Sequence, residues 1–247
     1  INFRLMFMNN ANIHYGKFAL ADKNLINLFY LITKPSKYFE KITIVEGTTK
    51  KQIDNLLSGY FESYQEINYT DLLADTYFID YNSSFEDFKY QLNENLNLYK
   101  EKFKSNILSK KFTFKEIMII GSLLEKEGLD NEDKKLIFSV IINRLNKNMK
   151  LQIDATVIYA ITKGKKKLER KLNYSDLKYK NPYNTYHVYG LPPEPISYVS
   201  GKTIDLILEN YESNYLFYFY NTLIKKHIYS KNYTTHLKKL NEYRSKK

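Results

Sequence analysis

The sequence predicts an α+β fold. Three observations support this class. Apolar residues recur at helical spacing between residues 85 and 145, short β-branched and aromatic runs occur near both ends, and turn-forming residues separate these segments. The chain has 247 residues, of which 43% are hydrophobic, so it can bury a core without disulfides or structural metals.

The first predicted unit is a strand, a turn and a helix. Residues 41–45 are rich in β-branched side chains and predict a strand, while Glu46 and Gly47 predict a turn. Thr48 is the expected N-cap of the helix that follows. The residues expected to bury one side of that helix are Ile53, Leu56 and Leu57.

A second strand and a long helix are expected next. Residues 75–81 are largely aromatic and apolar, which predicts a strand. Residues 85–108 predict an amphipathic helix, whose apolar side carries Phe88, Leu92, Leu96 and Tyr99. We therefore predict two domains, residues 1–85 and residues 86–247.

Two helices dominate the middle of the chain. Thr113 and Glu116 match a capping box, in which each side chain bonds the other residue's free backbone amide at a helix start. Residues 117–124 are almost continuously apolar, so this helix is expected to be buried nearly all round, and Gly128 is its expected end. Acidic residues within 130–133 predict the start of the next helix, which continues through Leu136, Val140, Ile141 and Leu145.

The last part of the chain predicts a shaped loop, two strands and a helix. Four of the five prolines fall within residues 181–196, which favours a rigid loop. Residues 215–220 and 227–230 predict strands, and a closing helix is expected from Tyr233.

The composition argues against several classes of function. The net charge is +11, but only four of the 38 basic residues are arginine, whereas phosphate recognition favours the arginine fork. We therefore expect no nucleic-acid partner. Cysteine is absent, and the four histidines lack the close helical pairing of a zinc site, so no metal and no cofactor are expected. The histidines are His14, His187, His227 and His236.

Two glutamates near the end of the apolar helix are candidates for acid–base chemistry. A carboxyl group in desolvated surroundings has a raised pKa, as a general acid requires. Glu125 is expected to stand above the small residues Gly121 and Ser122, which would leave room for a ligand, whereas Glu127 stands above two leucines. We therefore predict Glu125 as the acid. The alternative is that both glutamates belong to a solvated helix end.

Polar side chains that could bind a sugar follow in two segments. Gln152, Asp154 and Thr156 alternate with apolar residues, so an extended segment would place them on one face. The alternative is an edge strand with a solvated face. The proline-rich loop adds aromatic and amide groups, with a stiff surface loop as the alternative: Tyr183, Asn184, Thr185 and Tyr186. The basic residues 163–171 are expected to form a solvated loop and not a binding patch.

Taken in order, five blocks of the sequence resemble a known family. They are Ser122-Leu123-Leu124-Glu125-Lys126-Glu127, then Ile142-Asn143-Arg144-Leu145, then Leu151-Gln152 with Asp154, Thr156, Val157, Ile158 and Tyr159, then Tyr183-Asn184-Thr185-Tyr186, and Gly190-Leu191-Pro192-Pro193. This series resembles the YceG-like endolytic murein transglycosylases over nearly the whole chain. Upstream, residues 44–57 look like the family's LysM-like subdomain. The chain departs from the family pattern at Ala155 and Glu194, where proline and glycine are expected.

The resemblance implies a fold and an activity. The fold would be a small LysM-like strand–helix subdomain, at about residues 41–60, followed by a mixed α/β lytic transglycosylase domain. The activity would be cleavage of the bond between N-acetylmuramic acid and N-acetylglucosamine in nascent glycan strands, leaving a 1,6-anhydro end. Glu125, the first glutamate of the Glu-Lys-Glu segment, would be the single acid and base. The implied substrate-binding residues are Gln152, Asp154, Thr156, Tyr159, Tyr183, Asn184, Thr185 and Tyr186.

The resemblance also implies partners and a location. The partners would be the glycan strands of peptidoglycan and cell-wall synthases. A single-pass anchor in the inner membrane would precede Ile1, with this region on the periplasmic side. The alternative functions are a non-catalytic peptidoglycan-binding module, a muramidase-type hydrolase and, third, a nucleic-acid binder.

Overall fold

The computed structural model describes residues 18–19, 24–34, 39–80 and 83–246. His14 lies outside these residues. In chain order, the elements are α1 (Leu25–Ile32), β1 (Phe39–Thr43), α2 (Lys50–Leu57), β2 (Leu73–Ala74), β3 (Thr76–Asp80), α3 (Phe85–Lys104), a 3-10 turn (Ile107–Lys110), α4 (Phe114–Glu127), α5 (Asn131–Asn146), α6 (Asp154–Thr162), α7 (Tyr174–Leu177), β4 (Val199–Ser200), α8 (Gly201–Leu208), β5 (Phe217–Asn221), β6 (Lys226–Ser230) and α9 (Tyr233–Ser245). This mixture confirms the α+β class.

The chain divides into two compact units. One contains the described residues up to Thr43 together with Thr76–Gln91, and the other contains Ile44–Asp75 together with Leu92–Lys247. In the first unit, β1 and β3 form an antiparallel pair with Thr43 opposite Thr76. Both strands were predicted, although β1 begins and ends two residues earlier than expected.

The predicted strand, turn and helix are all present, but they do not form one unit, because β1 belongs to the first unit and α2 to the second. The helix start also differs from the prediction. Glu46 and Gly47 form the turn, and Gly47 has a φ of 73°, in the left-handed region that glycine adopts without strain. The N-cap of α2 is Thr49, not Thr48, because Gln52 stands three residues after it and completes a capping box. The hydroxyl of Thr48 instead donates to the carbonyl of Val45, which closes the turn.

The long helix α3 ends four residues earlier than predicted. It stops at Lys104, and the side chain of Asn106 then accepts a hydrogen bond from the amide of Leu108 at 3.0 Å, which starts the 3-10 turn. An asparagine that bonds the backbone in this way competes with helical hydrogen bonding. Leu108 therefore enters the core from the 3-10 turn and not from the helix.

Helix α4 is the centre of the second unit. Its capping box forms as predicted: Glu116 accepts from the amide of Thr113 at 2.7 Å, and Thr113 accepts from the amide of Glu116 at 3.2 Å. Every residue from Ile117 to Leu124 is buried. The neighbours that cover this helix are α5, α6, α8 and β4. No helix in the described ranges combines the length and apolarity needed to cross a lipid bilayer.

The C-terminal part forms an antiparallel hairpin and a helix. Strands β5 and β6 pair with Phe217 opposite Ser230, and α9 packs on both strands. Both strands and the helix start at Tyr233 were predicted. Arg144 of α5 fixes β5 from outside the hairpin, because its Nε donates to the carbonyl of Leu216 at 2.6 Å.

Candidate active site

Glu125 is closed off from solvent by an ion pair. Its side chain is 1% exposed, and Nζ of Lys134 lies 2.5 Å from Oε2. The other oxygen, Oε1, accepts from both the amide and the hydroxyl of Ser200, at 3.0 and 2.8 Å. Lys134 also donates to the hydroxyl of Thr203. Lys134 and Ser200 therefore occupy both carboxyl oxygens, so Glu125 is not the open acid that the sequence predicted.

The small residues beneath Glu125 make room for protein and not for a ligand. A Cβ atom on Gly121 would come within 2.6 Å of Cγ1 of Val199. The hydroxyl of Ser122 accepts from the amide of Ile196 at 3.0 Å. The segment that leads into β4 thus fills the space above these residues. Gly121 and Ser122 do leave space above them, as predicted, but residues of the protein fill that space.

Glu127 has the surroundings that a general acid needs. Burial raises the pKa of its carboxyl group above the ordinary value, and the negative charge of Asp154 raises it further. Three groups act in the opposite direction: the backbone N–H of Ala155, the charge of His227 and the hydroxyl of Tyr218, which lies 3.4 Å from Oε2. No basic side chain among the described residues forms an ion pair with Glu127. Its proton is therefore held more firmly than that of an exposed glutamate.

A buried aspartate orients His227 beside this carboxyl group. Nδ1 of His227 lies 2.8 Å from Oδ2 of Asp133, and both side chains are buried. Burial alone would raise the pKa of Asp133, but hydrogen bonds from His227, from Tyr229 at 2.6 Å and from the amide of Leu129 outweigh that effect and lower the pKa. Asp133 is thus a fixed anion, and His227 is held in one orientation.

The segment that contains Gln152, Asp154 and Thr156 is not extended, so that prediction is wrong. Asp154 begins helix α6, and Gln152 has a φ of 53° in the turn before it. The alternation in sequence is too short to distinguish a strand from a turn followed by a helix. Gln152 and Asp154 are exposed, and the hydroxyl of Tyr186 donates to Oδ1 of Asp154 at 2.6 Å.

Three predicted sugar-binding side chains lie inside the protein. Thr156, Asn184 and Thr185 each have 0% exposure. The hydroxyls of Thr156 and Thr185 lie 2.9 Å apart, and Thr185 also accepts from the amide of Ile153. Asn184 donates to the carbonyls of Leu177 and Tyr179. These side chains hold the proline-rich loop against the start of α6, which fixes where Tyr186 and Asp154 meet.

Tyr159 and Tyr183 lie together on another part of the same surface. Their ring centroids are 4.8 Å apart, and Tyr69 packs against Tyr159 at 6.3 Å. The rings line a cavity of about 410 Å³ together with Lys50, Lys115 and Glu194. Burial raises the pKa of Tyr183 to about 12, so its hydroxyl group stays protonated and can donate a hydrogen bond. Such an aromatic wall suits contact with a sugar ring.

The sequence blocks around Arg144 and Leu151 support the site indirectly. Asn143 donates to the carbonyls of Ser213 and Tyr215, and Arg144 donates to the carbonyl of Leu151 at 2.7 Å. These bonds tie α5 to the strand that carries Tyr218 and to the turn before α6. Because Arg144 also donates to the carbonyl of Leu216, the positions of Tyr218 and Asp154 both depend on Arg144.

Sequence reasoning assigned no chemistry to Asp133, Tyr218 or Tyr229 and noted His227 only as one of four histidines without zinc-site spacing. The available signal was weak: an acid in the first turn of a helix, and aromatic residues in a short strand. Within the described residues, no cluster of three or more His, Cys, Asp and Glu side chains is arranged to hold a metal ion.

Comparison with known proteins places this arrangement in a family. A model of the YceG-like family matches residues 2–242. A Bacillus subtilis protein named endolytic murein transglycosylase is 34% identical over 177 residues, which are 71% of this chain and 45% of that protein. A Streptococcus pneumoniae protein of the same name is 33% identical over 153 residues, which are 62% of this chain and 27% of that protein. The chain therefore spans less than half the length of these curated relatives.

A solved structure agrees with the sequence comparisons. The crystal structure of a yceG-like protein from Listeria monocytogenes aligns with a TM-score of 0.67 and 27% identity. The alignment covers 96% of this chain and 88% of that one. Fold and sequence thus lead to the same assignment: this chain belongs to the YceG-like family.

Proposed function

We propose that the chain is an endolytic lytic transglycosylase of peptidoglycan and that Glu127, not Glu125, is its acid and base. The names of the relatives and the membership of the YceG-like family support the activity. The raised pKa of Glu127, which forms no ion pair with any described residue, supports the choice of residue. The ion pair between Glu125 and Lys134 argues against Glu125.

In the proposed reaction, the protonated carboxyl group of Glu127 gives its proton to the oxygen between N-acetylmuramic acid and N-acetylglucosamine. The bond from that oxygen to C1 of the muramic residue breaks. The carboxylate of Glu127 then takes the proton from the C6 hydroxyl of the same residue, and O6 bonds to C1. The products are a 1,6-anhydro end and a new N-acetylglucosamine hydroxyl. No water is consumed, and Glu127 recovers its proton.

This route needs only one catalytic carboxyl group. An ordinary glycosidase uses a second carboxylate to activate water or to attack the sugar. Here the nucleophile is the C6 hydroxyl of the substrate itself. Because it is held close to C1, it lowers part of the barrier that a second carboxylate would otherwise lower. We assign Asp154 a positioning role, because its negative charge raises the pKa of Glu127 while Tyr186 holds its carboxylate.

The remaining residues predicted to bind substrate fall into two groups, one with solvent-exposed surface and one that is buried. Gln152, Tyr159, Tyr183 and Tyr186 have surface available for contact with the glycan. Thr156, Asn184 and Thr185 are buried, so we propose that they act by shaping the loop that presents Tyr183 and Tyr186. Placement on the outer side of the inner membrane, through an anchor beyond these residues, and contact with wall synthases remain predictions from the family resemblance.

The experiment that tests this proposal compares two isosteric variants on the same substrate. Purified sacculi are digested with the wild-type chain, with Glu127→Gln and with Glu125→Gln, and the released sugar ends are identified by mass spectrometry. Activity is normalised to the folded fraction. We expect Glu127→Gln to lower cleavage by at least about a thousandfold, because it removes both proton-transfer steps. Glu125→Gln should retain most of the cleavage per folded molecule.

Three other results of this digestion would contradict the proposal. Loss of activity per folded molecule only in Glu125→Gln would overturn the assignment to Glu127. Reducing ends in place of 1,6-anhydro ends would indicate a muramidase-type hydrolase. Binding of sacculi without any wild-type cleavage would indicate a peptidoglycan-binding module.

A further inference from the structure

A second cavity, of about 500 Å³, opens between α2, α6 and the loop after α6. Six of the side chains that line it are basic, and none of the lining residues is acidic. The basic residues are Lys51, Lys126, Lys165, Lys166, Lys167 and Arg170. The loop lysines are exposed, as predicted for a solvated loop, and they also share one concave wall with residues of α2 and α4.

Most of the positive charge in this cavity is unneutralised. Arg170 is the exception, because it forms a two-point ion pair with Asp176. Lys126 donates to the backbone carbonyl of Gly47 at 3.0 Å. The other four lysines form no ion pair with any residue that the structure describes. Like charges gathered around one cavity repel each other, and a bound anion would relieve that repulsion.

The cavity adjoins the candidate active site. Ala155 lines the cavity, and the backbone N–H of the same residue bonds the carboxyl group of Glu127. Tyr159 also lines the cavity and stacks on Tyr183. A polymer bound at Glu127 could therefore place a side branch in this cavity.

We propose that the cavity binds the carboxylates of the stem peptides that peptidoglycan carries on its muramic residues. This inference rests on the proposed function, which supplies the glycan at Glu127. Lysines are flexible point charges and suit the several carboxylates of a flexible peptide, whereas phosphate groups are better matched by arginine forks. The cavity has one arginine, and Asp176 already occupies its fork.

Binding is measured first, in a chain that cannot cut the strand. Glu127→Gln protein is titrated with soluble glycan strands that carry their stems, and with the same strands after carbodiimide amidation of the stem carboxyl groups. The test variant adds Lys165→Gln, Lys166→Gln and Lys167→Gln. The matched control adds Lys231→Gln, Lys238→Gln and Lys246→Gln, which removes the same charge from exposed positions outside the cavity. Cleavage of the native strands is then compared in chains that retain Glu127.

We expect the test variant to lose about tenfold in affinity for strands with free carboxylates and to keep its affinity for amidated strands. The control variant should bind both forms as the parent does. In cleavage, the same lysine substitutions should raise KM and leave kcat unchanged.

Equal affinity of parent and test variant for the native strands would overturn the inference. So would a loss that is equally large on amidated strands. Strands with and without wall phosphate polymer are compared in parallel, and a loss confined to phosphate-bearing strands would identify phosphate as the ligand instead. A proposed function that failed would appear separately, as wild-type protein that binds the strands but does not cut them.

Discussion

Glu125 and Lys134 form an ion pair from which water is nearly excluded, so each charge depends on the other. Replacing one partner leaves the other charge buried without compensation, which is costly. We expect Glu125→Gln to lower the free energy of unfolding by about 3 kcal/mol, measured by urea denaturation. The double variant Glu125→Gln, Lys134→Met should recover part of this loss, because it also removes the uncompensated charge. Purely additive losses would show that the two side chains are not coupled.

Glu127 has no such ion pair, and the folded surroundings destabilise its charged form. Its pKa in the folded state lies above the ordinary value of 4.5, so the native chain binds more protons than the unfolded chain as the pH rises past that value. The unfolding free energy therefore falls with rising pH, up to the pKa of the folded state. Glutamine does not titrate. We expect Glu127→Gln to be more stable than the wild type at neutral pH and to lose this advantage below about pH 4.5.

Thermal unfolding at several pH values checks this prediction. Asp154→Asn is the matched control, because it removes the neighbouring charge but leaves Glu127 able to titrate. We expect Asp154→Asn to show part of the stability gain of Glu127→Gln at neutral pH. A Glu127→Gln protein that is less stable than the wild type at every pH would contradict the prediction.

Among the elements, the end of α4 depends on a glycine for an unusual reason. Gly128 has a φ of −74°, which any residue can adopt, but a Cβ atom there would lie 2.3 Å from Cγ of Lys134. The glycine therefore makes room for the lysine that neutralises Glu125. We expect Gly128→Ala to lower stability by about 1–3 kcal/mol through overpacking, measured by urea denaturation.

Thr113→Ala at the other end of the same helix is a useful comparison for Gly128→Ala. It should cost about 1 kcal/mol through loss of the cap. It should leave activity per folded molecule unchanged, because the cap lies far along α4 from Glu127. A Gly128→Ala protein as stable as the wild type would show that Lys134 can move aside freely.

Local sequence signals predicted most elements well. The capping box at Thr113 and the acidic start of α5 are contained within four residues, so their patterns are complete in the sequence. The segment around Gln152 was misjudged because its shape depends on Thr185, a residue more than thirty positions away. The hydrogen bonds to Thr185 stabilise a turn at this segment in place of a strand, and they cannot be predicted from the neighbouring residues.

The sequence could not distinguish the surroundings of the two glutamates for the same reason. Both lie at the end of one apolar helix, and their separation of two positions turns them about 200° apart around its axis. What distinguishes them is Lys134 from α5 and Ser200 from β4 on one side, and Asp154 and His227 on the other. The sequence could locate the helix end at which we propose the chemistry, but only the packing of four other segments separates the two acids.

At the scale of the whole molecule, the N-terminal and C-terminal parts of the second unit share backbone hydrogen bonds. Strand β2 pairs with β4 in parallel, the amide of Gly47 bonds the carbonyl of Tyr198, and the hydroxyl of Tyr198 bonds the carbonyl of Ile67. We expect a fragment of residues 86–247 to lack a cooperative unfolding transition, measured by circular dichroism, because it loses these partners. A fragment that unfolds cooperatively would support the domain boundary predicted near residue 85.

The opposite surroundings of Glu125 and Glu127 have a consequence for mutational scanning. Under the proposed function, a screen in living cells that scores only survival or growth would rank both positions as intolerant, one because the reaction stops and the other because less protein accumulates. Abundance and turnover would have to be read separately for every variant. Only then could the screen distinguish the residue proposed to act in the reaction from the residue that keeps the protein folded.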